Sequence, residues 1–422
     1  MSRRKSGLSL VSFSVVLLCV LAWGAAAQKT TVTILSDIRP AYIEWAGQLK
    51  ERFEAENPDI EIEFIPMQGD PLERMQVLLA AGVPLDIGWG DPMYVAALAR
   101  MGVLEDLAPY VAAAPHYDAF YPSSLNLFRI GEALYGLPIE LQIAGIFYNV
   151  DMMLEAGLPL PEEGWNYDDL RERAVRLLLR DDDGNAIRHG FKIPTGRNWL
   201  TIIWAFGGDF VDDWVAPTRF TGNSSEVANA LNYMYDLVRS EAVQDRQRHL
   251  TQHVSTVAFP GQHVGMILSN TLTIASLTNI QEFRWDVAPL PYGPAGRVAF
   301  VNSRGWVMFN SSQNKEATWQ VLQYFTSPEA LDLFVEITGM VPPHREVLVE
   351  RWLPSTTMPE NRHVFLYGIE TARSPWPLDN SVFNVIQQVA DSVTWGVSPA
   401  NTALEQLEEM ILPRLRDVYG IE

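Results

Sequence analysis

TVTILSDIRPAYIEWAGQLKERFEAENPDIEIEFIPMQGDPLERMQVLLAAGVPLDIGWGD (residues 31–91) carries the periodicity that sets the fold. Val32 and Ile34 alternate with polar neighbours over residues 31–36, as a strand with one buried face requires. Pro40 then opens a stretch in which Ile43, Ala46, Leu49 and Phe53 fall at helical spacing. Asn57-Pro58 stops it, because a residue before proline is pushed out of the helical region. Ile60, Ile62 and Phe64 alternate as a second strand. Leu72, Met75, Leu78 and Leu79 form a second helical stripe closed by Gly82, and residues 85–89 make a third strand. The order is β-α-β-α-β, which predicts an α/β fold with a mostly parallel, helix-covered sheet and ligands beyond the carboxyl ends of its strands. Those ends are Ser36-Asp37, Gln68 to Asp70, and Trp89-Gly90-Asp91.

Downstream, Tyr135-Gly136-Leu137-Pro138 breaks this pattern, and the apolar run Ile143 to Tyr148 begins a strand of a second lobe. Asn166 with Asp169 three residues on reads as a helix start, with Ala174, Leu177 and Leu178 as its apolar face. Val227, Ala230, Leu231, Met234, Leu237 and Val238 form another stripe after the Asn223-Ser224-Ser225 turn. The Pro- and Gly-rich APLPYGPAG (288–296) reads as a passage between lobes, as does the break from Gly339 to Pro343. No tandem repeat, low-complexity tract or heptad run interrupts the chain.

The beginning of the chain predicts export. Arg3, Arg4 and Lys5 precede an almost wholly apolar run from Leu8 to Trp23, and Ala25-Ala26-Ala27 follows. That is the layout of a cleaved signal (residues 1–27), and the apolar run is shorter than the roughly 20 residues that span a bilayer. Leu18 before Cys19 is not the small residue that lipid attachment at a cysteine needs, so a free periplasmic or cell-surface protein is expected over an anchored one. Cleavage would remove the only cysteine and three positive charges, taking the net charge from -20 to -23 and leaving a disulfide-free chain held by its core. A chain of 422 residues predicts about two domains. Its acidity disfavours nucleic acid and anionic membrane as partners. Of its 13 tryptophans only Trp23 lies in the signal, so some are expected at a binding face.

Five segments in order carry a family resemblance: FEAENPDIEIEF (53–64), GVPLDIGWGDPMYVAALARMGVLEDL (82–107), GLPIELQIAGIFYNVDMMLEAGLPLP (136–161), FPGQHVGMIL (259–268), and APLPYG through WQVLQYFTSPEA (288–330). The chain resembles the family 1 extracellular solute-binding proteins, the maltose-binding-protein-like capture components of bacterial ABC importers. The resemblance implies a two-lobed periplasmic-binding-protein fold of class II type with about three crossings at the hinge. One lobe would hold residues 28–139 plus 291–341, the other 141–287 plus 344–422. It also implies a monomer that closes over a small carbohydrate, a mono- or oligosaccharide, and signals to membrane permease subunits, with no cofactor, no metal and no catalysis.

A sugar offers hydroxyls in its ring plane and C–H patches on its faces, so planar polar groups and aromatic rings are the side chains to seek. By the resemblance, Trp89 and Asp91 end the third strand where relatives contact the sugar; Trp89 is otherwise a core residue. Gln142 stands where relatives place a carboxylate or amide, with Glu140 as competitor, and alternation puts both on one side of an extended segment. Asp37 is a ligand contact or a helix cap ahead of Pro40. From the second lobe, Asn198 and Trp199 precede the Gly207-Gly208 turn near an expected aromatic contact, Trp199 being otherwise buried. Asn270 follows a strand where relatives often show Gly-Pro-Trp; here Ser269-Asn270-Thr271-Leu272 lacks the aromatic, which argues for a smaller or more polar ligand than maltodextrin. Arg304 and Trp306 lie beside a crossing, Trp306 in the cleft or the core, and Trp376 and Arg345 are minor candidates.

Arg39, Arg197, Arg304 and Arg345 leave open a polyol phosphate or another small polar solute. An exported glycosidase would need paired carboxylates such as Asp37 and Asp91, which nothing in the sequence marks as a catalytic pair. No Gly-x-Ser-x-Gly elbow, His-Glu-x-x-His helix or phosphate loop is present. His249 and His253 share a helix face without a third ligand, and Asp181 to Asn185 reads as a polar hairpin turn, since Lys192 stands where a calcium loop needs its closing Glu.

Overall fold

The computed structural model describes residues 29–376 and 378–420; the expected signal lies outside them. Alternation and helical spacing become the elements they predict: β1 (Thr30–Ser36), α1 (Pro40–Glu56), β2 (Ile60–Pro66), α2 (Pro71–Ala80), β3 (Ile87–Gly90) and α3 (Pro92–Arg100). Val32 and Ile34 are fully buried, and β1 pairs in parallel with both β2 and β3. The stripe of α1 is rotated from its expected position. Tyr42, Trp45, Ala46, Leu49 and Phe53 face inward, while Ile43 is 55% exposed, because the larger rings of Tyr42 and Trp45 take the buried face.

The remaining long strands are β4 (Leu137–Asn149), β5 (Ala186–Lys192), β6 (Val264–Asn270), β7 (Trp285–Ala288) and β8 (Ala299–Met308). One sheet runs β2-β1-β3-β8-β4-β6-β5, with β7 also on β4. Two strands thread both halves. β8 pairs with β3 through residues 305–308 and with β4 through residues 301–306, and the rest of β4 lies between β6 and β7. These crossing strands pair antiparallel; β6 and β5 are parallel. Every residue of β4 is buried, as a strand covered on both faces must be.

Buried side chains sort into two cores, the physical basis of a two-lobed molecule. The first gathers residues between Val32 and Ile139 and between Trp306 and Val347; the second gathers Leu141 to Val301, Val341, and Leu348 to Leu415. The chain changes core between Ile139 and Leu141, between Val301 and Trp306, and across Met340 to Leu348, where Val341 joins the second core and Val347 the first before the chain settles in the second. The segment 288–296, read from its Pro and Gly as a passage, is instead a turn seated on the second core. The Trp165 indole donates to Pro289 O at 2.8 Å, Tyr292 N donates to Trp165 O at 2.9 Å, and a Cβ on Gly293 would stand 2.2 Å from Ala205 O. The passage lies further on, within β8.

Helices cover both lobes. Lys315–Phe325 and Pro328–Thr338 pack on α1. In the second lobe Tyr167–Leu177 starts with the expected capping box of Asn166 and Asp169, Ser224 caps Ser225–Arg239, and Asn380–Thr394 packs against Ala400–Tyr419. Residues 181–185 close a hairpin, Asp181 accepting from Asn185 N at 2.8 Å. His249 packs its ring on Trp395. Among the described residues no helix is long and apolar enough to cross a membrane.

Candidate ligand site between the lobes

The floor of the seam is made by the two crossing strands. In their register Gln142 stands opposite Asn302 and Glu140 opposite Arg304, so period-two alternation projects all four side chains to one face. Gln142 Nε2 donates to Glu140 Oε1 at 2.7 Å. Asn302 Nδ2 lies 3.4 Å from Gln142 Oε1 and 3.5 Å from Asp91 Oδ2; facing two acceptors fixes the amide orientation and turns Oδ1 elsewhere. Arg304 Nη1 lies 3.5 Å from Glu140 Oε1, an ion-pair contact without hydrogen-bond alignment.

Strand ends of the first lobe form one wall. Asp37 follows β1 and grips Arg39, whose Nη2 donates to Oδ2 at 2.7 Å and whose guanidinium lies 3.7 Å over the Tyr42 ring. The Tyr42 hydroxyl donates to Glu140 Oε2. Burial and the adjacent Glu140 push that phenol well above the ordinary tyrosine range, so it stays a neutral donor. Asp91 follows β3 and caps α3 by accepting from Met93 N at 3.1 Å. Burial pushes its carboxyl up, opposed by Arg304, the Met93 N–H, Asn302 and Arg197.

Opposite stands Arg197 of the second lobe; its chain neighbour Asn198 donates its amide to Thr195 O at 3.3 Å. Arg197 lies 4.2 Å over the Trp376 ring, donates to Asn380 Oδ1 at 3.3 Å, and reaches Met93 Sδ of the first lobe at 3.5 Å. Nearby, Arg100 of α3 pairs with Asp379 across the seam at 3.2 Å. Three buried atoms here have no hydrogen-bond partner among the described residues: the donors Arg197 Nε and Arg304 Nη1, and the acceptor Asn302 Oδ1. Unpaired buried polar atoms are costly, and a hydroxyl, which donates and accepts at once, satisfies one of each kind. Arg39 and Tyr42 also line a cavity of about 1280 Å³ between the lobes, with Ile274, Thr278 and Asn279 on its far side. The Asp91–Asn302–Arg197 group is not in the lining of that cavity.

Residues 37–332 match the family described as bacterial extracellular solute-binding protein. The chain belongs to that family. A binding protein of Brucella abortus (strain 2308) is 26% identical over 346 residues, 78% of this chain and 80% of that protein. The arabinooligosaccharide-binding protein of Halalkalibacterium halodurans is 26% identical over 251 residues, 55% of this chain and 53% of that one. An ABC substrate-binding protein from Listeria monocytogenes, solved in complex with cycloalternan, superimposes with a TM-score of 0.79 at 20% identity, covering 93% of this chain and all of that one. These relatives are binding proteins, and the last shares the two-lobed fold.

Within this solute-binding protein, Asn198 turns its amide to Thr195 O, while Asp37, Asp91, Glu140, Gln142 and Arg304 come together at the seam. The aromatic candidates do not. Trp89 is 3% exposed and edge-on to Tyr42 and Trp306, with ring centroids at 5.4 and 5.2 Å, and Trp306 stacks on Trp45. Trp199 donates to Gln387 Oε1 at 2.6 Å and packs on Phe210 and Phe383 in the second core. Each sits where a bulky ring excludes most water, and the core claims it. Asn270 ends β6 opposite Ala144 and turns its side chain back to Leu272 N at 3.1 Å. Arg345 lies over Tyr121 in the first lobe. The sequence patterns do not single out Asn302 or Tyr42, and they mark Arg197 only for an anionic ligand. Asn302 was available from alternation, two residues from Arg304 on the same strand; Tyr42 had no such signal, because its partner Glu140 is 98 positions away.

Proposed function

We propose that this chain captures a small carbohydrate between its lobes and presents it to the permease of a bacterial ABC importer, catalysing nothing. The carrying observation is the set of unpartnered donors and acceptors contributed by both lobes, Arg304 and Asn302 from the floor and Arg197 from the far wall. A polyhydroxylated ligand matches such a set, hydroxyl by hydroxyl. The ligands of the relatives, arabinooligosaccharide and cycloalternan, support the same class. Arg39, Arg197 and Arg304 are balanced by Asp37, Asp91 and Glu140, which favours a neutral sugar over a polyol phosphate. Asp37 is gripped by Arg39, and Glu140 by Tyr42 and Gln142, an arrangement suited to holding carboxylates still rather than to moving protons.

In this reading the lobes are residues up to about 139 with 306–340, and 141–301 with most of the remainder. They move as a pair of bodies about the three chain passages, in an exported monomer. A ligand bridging both walls shifts the equilibrium toward closure by its differential affinity for that state. Thermal-shift screening of the chain from Gln28 onward against mono- and oligosaccharides, with mannitol phosphate as the anionic arm, tests the proposal. A saturable rise with a neutral sugar, returned chemically intact, is the expected result. No rise with any neutral sugar, or conversion of the sugar to product, overturns it.

A further inference from the structure

The cavity of about 1280 Å³ between the lobes has one wall that is held from behind by a buried cation. Pro354, Ser355, Thr356 and Thr357 of the second lobe line it, as Arg39 and Tyr42 do from the first. Ser355 is half-buried and Thr357 exposed, so the hydroxyls of this loop are open to the cavity. Behind them Arg362 is 3% exposed and directs all its donors at the loop. Its Nε donates to Pro359 O at 3.1 Å and its Nη1 to Trp352 O at 3.4 Å. Its Nη2 is shared among Thr357 O at 2.9 Å, Met358 O at 3.1 Å and Thr357 Oγ1 at 2.6 Å. Among the described residues no carboxylate pairs with Arg362, and burial draws its guanidinium below the ordinary arginine range with nothing to oppose it. The group keeps its charge, so an uncompensated cation stands behind the wall.

From that cation the hydrogen bonds run outward. Thr357 Oγ1 accepts the Arg362 N–H, which turns the Thr357 proton away, and Ser355 Oγ lies 3.0 Å off as its acceptor. Ser355 Oγ also faces the Thr357 N–H at 3.4 Å. With that oxygen turned to two donors, the Ser355 proton is the one left over. Resting on the carbohydrate reading above, we infer that Ser355 is a ligand contact, the outer end of a relay Arg362–Thr357–Ser355 that presents one oriented donor to an acceptor oxygen of the captured sugar. A ring, glycosidic or hydroxyl oxygen serves as that acceptor. Thr357 and Arg362 act through Ser355 as positioning residues. The cation at the inner end polarises each hydroxyl outward and strengthens the outer bond, and a loop already held in place loses little freedom when a ligand arrives.

The test is a double-mutant cycle on affinity by calorimetry, with tagatose, maltose, mannotriose, arabinotriose and mannitol phosphate as probes. For the neutral sugar that binds best, Ser355→Ala is expected to weaken binding about 2- to 12-fold, the loss of one hydrogen bond. Thr357→Val keeps the branched shape and leaves Arg362 Nη2 its two carbonyls, yet removes the middle oxygen of the relay, so it should weaken binding by a comparable factor. The double variant should bind no more weakly than the worse single one, and Thr357→Ser should bind as wild type does. A merely structural role for these hydroxyls moves melting temperatures and leaves affinity alone. Wild-type affinity in either single variant, losses that multiply in the double, or Thr357→Ser as weak as Thr357→Val overturns the relay and leaves the sugar reading standing. If only mannitol phosphate binds, the neutral-sugar reading falls and the same cycle, run with that probe, decides the relay. If no probe binds, both fall.

Discussion

Asp91→Asn separates binding from stability at the centre of the seam. The substitution keeps the cap of α3, because an amide oxygen can accept the bond that Met93 N donates at 3.1 Å. It removes a charge that faces Asn302, Arg304 and Arg197. Burial raises the Asp91 carboxyl above its ordinary value despite those partners. A raised carboxyl holds its proton more tightly in the folded state, so stability falls as pH rises from the unfolded value through the folded one, and at neutral pH the ionised group is a net cost. Without ligand, the variant is therefore expected to melt at or above the wild-type temperature at pH 7, with the difference shrinking in acid. Ligand binding should move the other way. A hydrogen bond to a charged group contributes about 1.5–3 kcal/mol, so affinity should fall about 10- to 150-fold. With ligand at about 100 times the wild-type Kd, wild type gains about 2.7 kcal/mol, and a variant about 30-fold weaker gains about 0.9 kcal/mol. An unfolding entropy of about 2 cal/mol/K per residue turns these into shifts of about 3 °C and about 1 °C. Scanning fluorimetry with and without sugar reads both quantities. An undiminished ligand shift refutes the placement of Asp91 at the site, and a loss of several degrees without ligand refutes the account of its charge.

Three further outcomes follow from the geometry. Gly305→Ala should destabilise by on the order of 3 kcal/mol in denaturant titration, because its Cβ would stand 1.9 Å from Leu137 O where the β8–β4 register shifts; wild-type stability would mean that the crossing strands yield there. Lys192 is buried with Gln244 Oε1 at 3.2 Å and His249 O at 3.0 Å as acceptors, and burial pushes its ammonium down to about 8. A lowered lysine binds fewer protons folded than unfolded, so it adds a rise in stability with pH above about 8 that Lys192→Met should remove, alongside a gain at pH 7; superimposable pH profiles would contradict this. Arg100→Ala breaks the ion pair with Asp379 across the seam and should weaken sugar binding by up to about five-fold. A lowered melting temperature with unchanged affinity would assign that pair to stability alone.

The parallel core of the first lobe was legible because its signals are local. Val32, Ile34, Ile60 and Ile62 declare a strand face within a few residues, and Asn166 with Asp169 declares a helix start. Alternation also placed Glu140 and Gln142 together, which the 2.7 Å bond between them expresses directly. What stayed hidden depends on distant pairing. Trp89 pairs with Trp306, a partner more than two hundred positions away, and the two indoles with Trp45 form a core that no local pattern announces. The turn at 288–296 misled for a related reason: proline and glycine mark a change of direction, but only Trp165 and Ala205, brought in by the second lobe, decide where that turn packs.

Placing the polar groups on the crossing strands has a consequence for closure. Glu140, Gln142, Asn302 and Arg304 sit where both lobes meet, so a ligand resting on them is held in either arrangement and by itself favours neither. On the proposed reading, discrimination falls to Arg197, the second-lobe group that faces Asp91 and Met93 across the seam. Its unpartnered Nε is the group that an approaching hydroxyl would complete. One such bond from a charged donor, at about 1.5–3 kcal/mol, would favour closure by that amount, a population change of about 10- to 150-fold. On that reading the floor sets which sugars rest in the seam, and the far wall sets whether resting there becomes a closed complex.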